Sequence, residues 1–144
     1  MASPEHTCSP RVYPLQEHSN TVDSLLETAQ VFLRTGESEI QEGLRNGDQV
    51  RIRDGAEKAW NAIVQATDHL MQRRGRTPVP GGDAHRDRRN FLEEIGRWDL
   101  AQKYAYLSER LHGDVFYAGE RLPADTFRRY LDEVRDYLSR VSAL

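Results

Sequence analysis

The side chains best equipped for chemistry in this sequence fall into three groups. His85, Arg86 and Arg89 stand just after a Pro/Gly-rich stretch, at the start of an expected helix. A helix N-terminus and guanidinium groups together hold phosphate. The plainer alternative is a solvated basic patch beside a loop, its charge diluted by Asp83 and Asp87. His112 and Tyr117 form the second group, near the end of a long helical pattern that also holds Tyr106 and Arg110. A neutral imidazole serves as a general base and a tyrosine as a donor or stacking platform; the alternative is a capping or partly buried polar pair. Glu57 and Lys58, beside Trp60, make the third group. Turned to a bundle interior, Glu57 needs a partner such as an arginine or His112, since burial alone displaces a carboxyl pKa upward. Turned outward, Glu57 and Lys58 are a solvated pair, with Lys58 a candidate phosphate contact.

Metal chemistry finds less footing. Glu109-Arg-Leu-His112 is one Glu-x-x-His, and a carboxylate-bridged two-metal bundle takes two. The sole cysteine, Cys8, makes no intramolecular disulfide and no cysteine-built zinc site. There is no phosphate loop, no Gly-x-Ser-x-Gly and no dinucleotide fingerprint. No metal ligand set is assigned and no cofactor is expected.

The elements that must position these residues read as helices. From Asn20 or Thr21 an apolar stripe runs through Val22, Leu26, Ala29, Leu33, Ile40 and Leu44, spaced as one helical face. Gly36 interrupts it without breaking its phase, which predicts one long helix, kinked at Thr35–Gly36 and ending at Asn46–Gly47. Asp48 caps a second helix with stripe Ile52, Ala56, Ala59, Ile63, Ala66 and Leu70, ending near Gly75. The segment 75–82 holds two prolines and three glycines and is the longest connection. A short helix then carries Phe91, Leu92 and Ile95, and Gly96 separates it from a long helix with Leu100, Tyr104, Leu107, Leu111 and Val115. Gly119 closes that helix. Pro123 opens the last one, striped by Phe127, Leu131, Val134, Leu138 and Val141. Tyr130 and Tyr137 beside this seam suggest helix packing or a dimer or partner surface.

No segment alternates with the period of a strand. The expected fold is therefore all-α, an up-and-down four-helix bundle with one additional short helix. Residues 1–19, with Pro4, Pro10 and Pro14, read as a flexible arm, and residues 20–144 as the bundle. A chain of 144 residues supports one core. Its net charge of −3 supplies no global field toward nucleic acid or anionic membrane, so such binding needs a local patch. Without a long apolar run or a leader pattern, the expected location is cytoplasmic, with no membrane partner.

Ala56-Glu-Lys-Ala-Trp-Asn-Ala62 and Leu111-His-Gly-Asp-Val-Phe-Tyr117, the latter followed by the Pro123 helix, together resemble the HEPN superfamily of helical bundles, in particular its PaREP branch. The likeness covers roughly residues 21–142 in helix order. It implies a bundle that often dimerises and whose members are metal-independent ribonucleases, toxin partners of small nucleotidyltransferases in toxin–antitoxin pairs, or nucleotide-binding helpers. Nuclease members carry an arginine and a histidine on one helix with four to six residues between them. Here Arg110 stands too close to His112 and Arg76 too far from His85, while Arg11 and His18 fit the spacing only within the proline-containing tail. The expectation is thus a homodimeric helper associated with RNA or nucleotide, lacking the usual nuclease pair. Two alternatives stand beside it: a partner-binding scaffold without substrate, and a metal-independent ribonuclease using His112.

Overall fold

The computed structural model describes residues 13–77, 81 and 83–144, and the side chains from Ser24 onward within that range. The first helix, α1 (Tyr13–Asn46), is the longest. It begins at Tyr13 rather than at Asn20, so residues 13–19 of the expected arm are helical, while residues 1–12 lie outside the described residues. Pro14 permits this, because the first turn of a helix has no use for its missing N–H.

Gly47, at φ +66°, ends α1 and lets Asp48 N–H return to the Gly43 carbonyl at 2.9 Å. The Asp48 carboxylate then accepts from Arg51 N–H at 3.1 Å and caps α2 (Gln49–Arg73). Gly36 marks no break in α1. It lies at a close approach of α1 and α2, where a Cβ on Gly36 would stand 2.7 Å from the Gly55 carbonyl oxygen, and one on Gly55 2.7 Å from the Gly36 oxygen.

Helix α2 is the centre of the molecule. Trp60, Ile63, Ala66, Leu70 and Met71 are buried along it, and it packs against α1, α3 (Ala84–Glu94), α5 (Ala124–Ser142) and the segment 108–117. The expected long helix between Gly96 and Gly119 has two windings. It is α-helical as α4 (Trp98–Leu107) and continues without a break as a π-helix (Ser108–Tyr117). Its last bond follows that looser pattern, Ala118 N–H to the Gly113 carbonyl at 2.9 Å. A π stretch of this length is rare, and π geometry concentrates at functional sites.

On α5, Phe127, Leu131, Val134, Leu138 and Val141 face the core as the stripe predicts. Tyr130 and Tyr137 do so as well, at 4% and 0% exposure. They are packing residues and offer no surface to a partner. Arg110 Nε donates to the Tyr130 hydroxyl at 2.6 Å, and the Tyr137 hydroxyl lies 2.6 Å from Thr67 Oγ1, so each polar end is satisfied inside the chain. The fold is an all-α bundle with no strand among the described residues. No helix is long and apolar enough to cross a membrane among them.

Candidate active site

One seam of α2 carries Arg53, Glu57, Trp60 and Asp68, at helical spacings of three, four and eight that put them on one face. Facing them are the first turns of α3, with His85 and Arg88, the middle of α4, with Tyr104, and the π-helical segment, with His112, Phe116 and Tyr117. Trp60 is buried and forms the floor. Its ring lies 4.9 Å from Tyr104, 5.5 Å from His85 and 6.1 Å from His112, centroid to centroid. The two imidazoles above it are 6.1 Å apart at 60°.

Each imidazole is held through Nδ1, by partners of opposite kind. His112 Nδ1 lies 2.7 Å from Glu57 Oε1, with about a quarter of each side chain exposed. An ionised carboxylate only accepts, so Nδ1 carries the proton and Nε2 presents a lone pair. At His85, the Tyr104 hydroxyl lies 2.9 Å from Nδ1, and Arg88 Nη1 lies 3.3 Å from both Nδ1 and that hydroxyl. A guanidinium only donates, so this Nδ1 is an acceptor and the proton sits on Nε2. The rings therefore present complementary atoms: a basic Nε2 on His112 and an Nε2–H on His85.

The surroundings of His85 favour its neutral state. Burial lowers the His85 pKa below its ordinary value, and the nearby charges of Arg88 and Arg89 lower it further. Burial likewise pushes the Tyr104 hydroxyl up to about 12, keeping it protonated as a donor. Arg88 is fixed from behind by Asp68, Nε to Oδ1 at 2.8 Å and Nη2 to Oδ2 at 3.2 Å, a two-pronged contact that sets the guanidinium plane.

Of the residues that the sequence singles out, His85, His112, Tyr117, Glu57 and Trp60 come together. Arg86 does not: it is exposed and paired with Asp83 at 2.8 Å. Arg89 lines a groove between α3 and α4 with Arg86 and Trp98, and acts on the site through its charge on His85 and Tyr104. Lys58 is turned away toward α1, where it pairs with Glu39, so it is no phosphate contact of this site. Glu109 is exposed, and among the described residues no three His, Cys, Asp or Glu side chains gather as a metal site. Sequence reading missed Asp68, Arg88 and Tyr104. Tyr104 sits in an apolar stripe and reads as core, whereas the i, i+3 spacing of His85 and Arg88 was a usable signal. Compared with known protein families, curated proteins and solved structures, the chain matches none.

Proposed function

We propose that this protein is a metal-independent ribonuclease that cleaves RNA by internal transesterification, with His112 as the general base. The observation that carries the reading is the pair of imidazoles 6.1 Å apart, locked by Glu57 on one side and by Tyr104 and Arg88 on the other. In the proposed step, His112 Nε2 takes the proton of a ribose 2′-hydroxyl. The O2′–P bond forms and the P–O5′ bond breaks, giving a 2′,3′-cyclic phosphate. Glu57 balances the imidazolium, whose proton returns through a water to the departing 5′ oxygen. His85 stays neutral and donates Nε2–H to a phosphoryl oxygen, where negative charge grows in the transition state. The charges of Arg88 and Arg89 act in the same direction.

The test is incubation of a short single-stranded RNA with the protein in chelator. The expected products end in 2′,3′-cyclic phosphate and 5′-hydroxyl, and His112→Ala should slow their formation by about 10²–10⁴-fold. Undiminished cleavage by His112→Ala, or cleavage at a 2′-deoxy position, overturns the mechanism. Salt-sensitive, saturable RNA binding without cleavage would instead support the RNA-associated helper that the resemblance implies.

A further inference from the structure

Tyr117 is the most exposed aromatic side chain close to the two histidines, with 67% of its surface free. Its ring meets the His112 ring edge-on at 4.8 Å and 85°, and Phe116 flanks both rings, 5.2 Å from Tyr117 and stacked at 6.1 Å on His112. A tyrosine at the end of a helix usually moves with a fraying turn, but this turn is clamped. Arg53 Nε donates to the Phe116 carbonyl at 2.8 Å and Arg53 Nη2 to the Tyr117 carbonyl at 3.0 Å. These are helix-end carbonyls without helical partners, and a cation there also complements the helix dipole. Gly119 follows at φ +68°, a conformation that favours glycine, beside the Arg53 guanidinium. The outcome is an open aromatic face on a fixed backbone, in contact with the base of the proposed reaction.

We infer that Tyr117 is the platform on which the nucleobase beside the scissile phosphate stacks, which makes the substrate single-stranded at that nucleotide. This rests on the reading of His112 as the base that takes the 2′-hydroxyl proton. A base within a duplex is already stacked on both faces and has none to give an aromatic ring, whereas an unpaired base gains by stacking on Tyr117. Stacking is tolerant of sequence, so the device selects strandedness more than base identity.

The experiment measures binding separately from cleavage. An RNA oligonucleotide with 2′-O-methyl at every position, single-stranded or annealed to its complement, is titrated against wild type, Tyr117→Phe and Tyr117→Ala, with helical content checked by circular dichroism. Expected are a single-strand affinity that falls about fivefold or more in Tyr117→Ala, near-wild-type affinity in Tyr117→Phe, and weaker binding of the duplex by wild type. Equal affinity of Tyr117→Ala and wild type, or duplex bound as well as single strand, overturns the platform. Cleavage of all-ribose RNA by wild type in parallel keeps the two readings apart. Cleavage with no effect of Tyr117→Ala sinks the platform alone; stacking-dependent binding with no cleavage sinks the chemistry and leaves the platform; neither binding nor cleavage sinks both.

Discussion

Glu57 Oε1 and His112 Nδ1 are 2.7 Å apart although 55 positions separate them in the chain. The contact joins the central helix to the π-helical segment, and both residues keep about a quarter of their side-chain surface exposed. A carboxylate that only anchored the fold would gain as much from an arginine. Held on a histidine, it fixes the tautomer and, in the proposed reaction, supports the positive charge that appears on the ring.

Replacing that carboxylate tests the dyad. Glu57→Gln keeps the shape and drops the charge, and its amide N–H₂ is able to donate to Nδ1 and hold the wrong tautomer. RNA cleavage by Glu57→Gln should fall by about 10²-fold or more, with the circular dichroism spectrum unchanged. A Glu57→Gln protein that cleaves at the wild-type rate would show the contact to be structural.

The lowered pKa of His85 makes stability depend on pH. In the unfolded chain this imidazole titrates near its ordinary value of 6.5, and in the fold below that. On acidification the unfolded state binds the proton first, so stability is intact above pH 6.5 and is lost as pH falls toward the lowered folded value. Urea unfolding midpoints between about pH 7.5 and 5 should show this slope in wild type and a flatter one in His85→Gln, where carboxylates are still ionised. Parallel slopes would mean that His85 titrates alike in both states.

Much of the fold was legible because apolar stripes report on burial directly. The caps at Asp48 and Gly47 and the ends at Gly96 and Gly119 fell where the sequence puts them. The π-helix was not legible, since Leu107, Leu111 and Val115 advance in steps of four that suit an α-helix as well. For the site, the need of an inward carboxylate for a partner names an arginine or His112 for Glu57, and the structure supplies His112. Lys58 and Arg86 misled because charge alone says nothing of direction: one is turned to Glu39 and the other to Asp83. Tyr130 and Tyr137 misled because an aromatic beside a seam serves a core as well as an interface.

Asp68 has a structural duty and, in the proposed reaction, a functional one, and the two separate in mutants. Its pair with Arg88 is largely buried, at 16% and 10% side-chain exposure. Asp68→Ala leaves the guanidinium uncompensated, and the cost should fall at the lower end of roughly 3–5 kcal/mol in chemical denaturation. The double variant Asp68→Leu with Arg88→Met should regain part of that stability but not the cleavage, since nothing then holds Nδ1 of His85 through Arg88. Recovery of both would remove Arg88 from the site.

The α1–α2 crossing should resist any side chain. Alanine gains about 1 kcal/mol over glycine in a helix, yet a Cβ on Gly55 would stand 2.7 Å from the Gly36 oxygen and 2.8 Å from Ile40 Cγ1. Both obstacles belong to a packed helix, and overpacking of this kind costs roughly 1–3 kcal/mol. Gly55→Ala should therefore lower Tm by several degrees, at about 2–4 °C per kcal/mol for a chain of this size. Gly113→Ala is the contrast, because its nearest neighbour would be Ser108 O at 3.8 Å. A Tm for Gly55→Ala at or above wild type would mean that the helices separate without loss.

The buried pair Thr67 and Tyr137 predicts an asymmetry. Thr67 Oγ1 lies 2.7 Å from the Ile63 carbonyl, which can only accept, so the threonine proton is committed there. The 2.6 Å contact between Thr67 Oγ1 and the Tyr137 hydroxyl must then be a donation from tyrosine to threonine. Burial pushes the Tyr137 pKa far above its ordinary value, so the phenol keeps its proton. Tyr137→Phe removes the donor and leaves threonine still bonded to Ile63, a loss of about 0.5–1.5 kcal/mol. Thr67→Val removes the acceptor and strands the fully buried tyrosine hydroxyl, a loss of about 1–3 kcal/mol. Urea unfolding of both variants should rank Thr67→Val as the more damaging. The reverse order would mean that the hydroxyl proton points the other way and that Ile63 is not its acceptor.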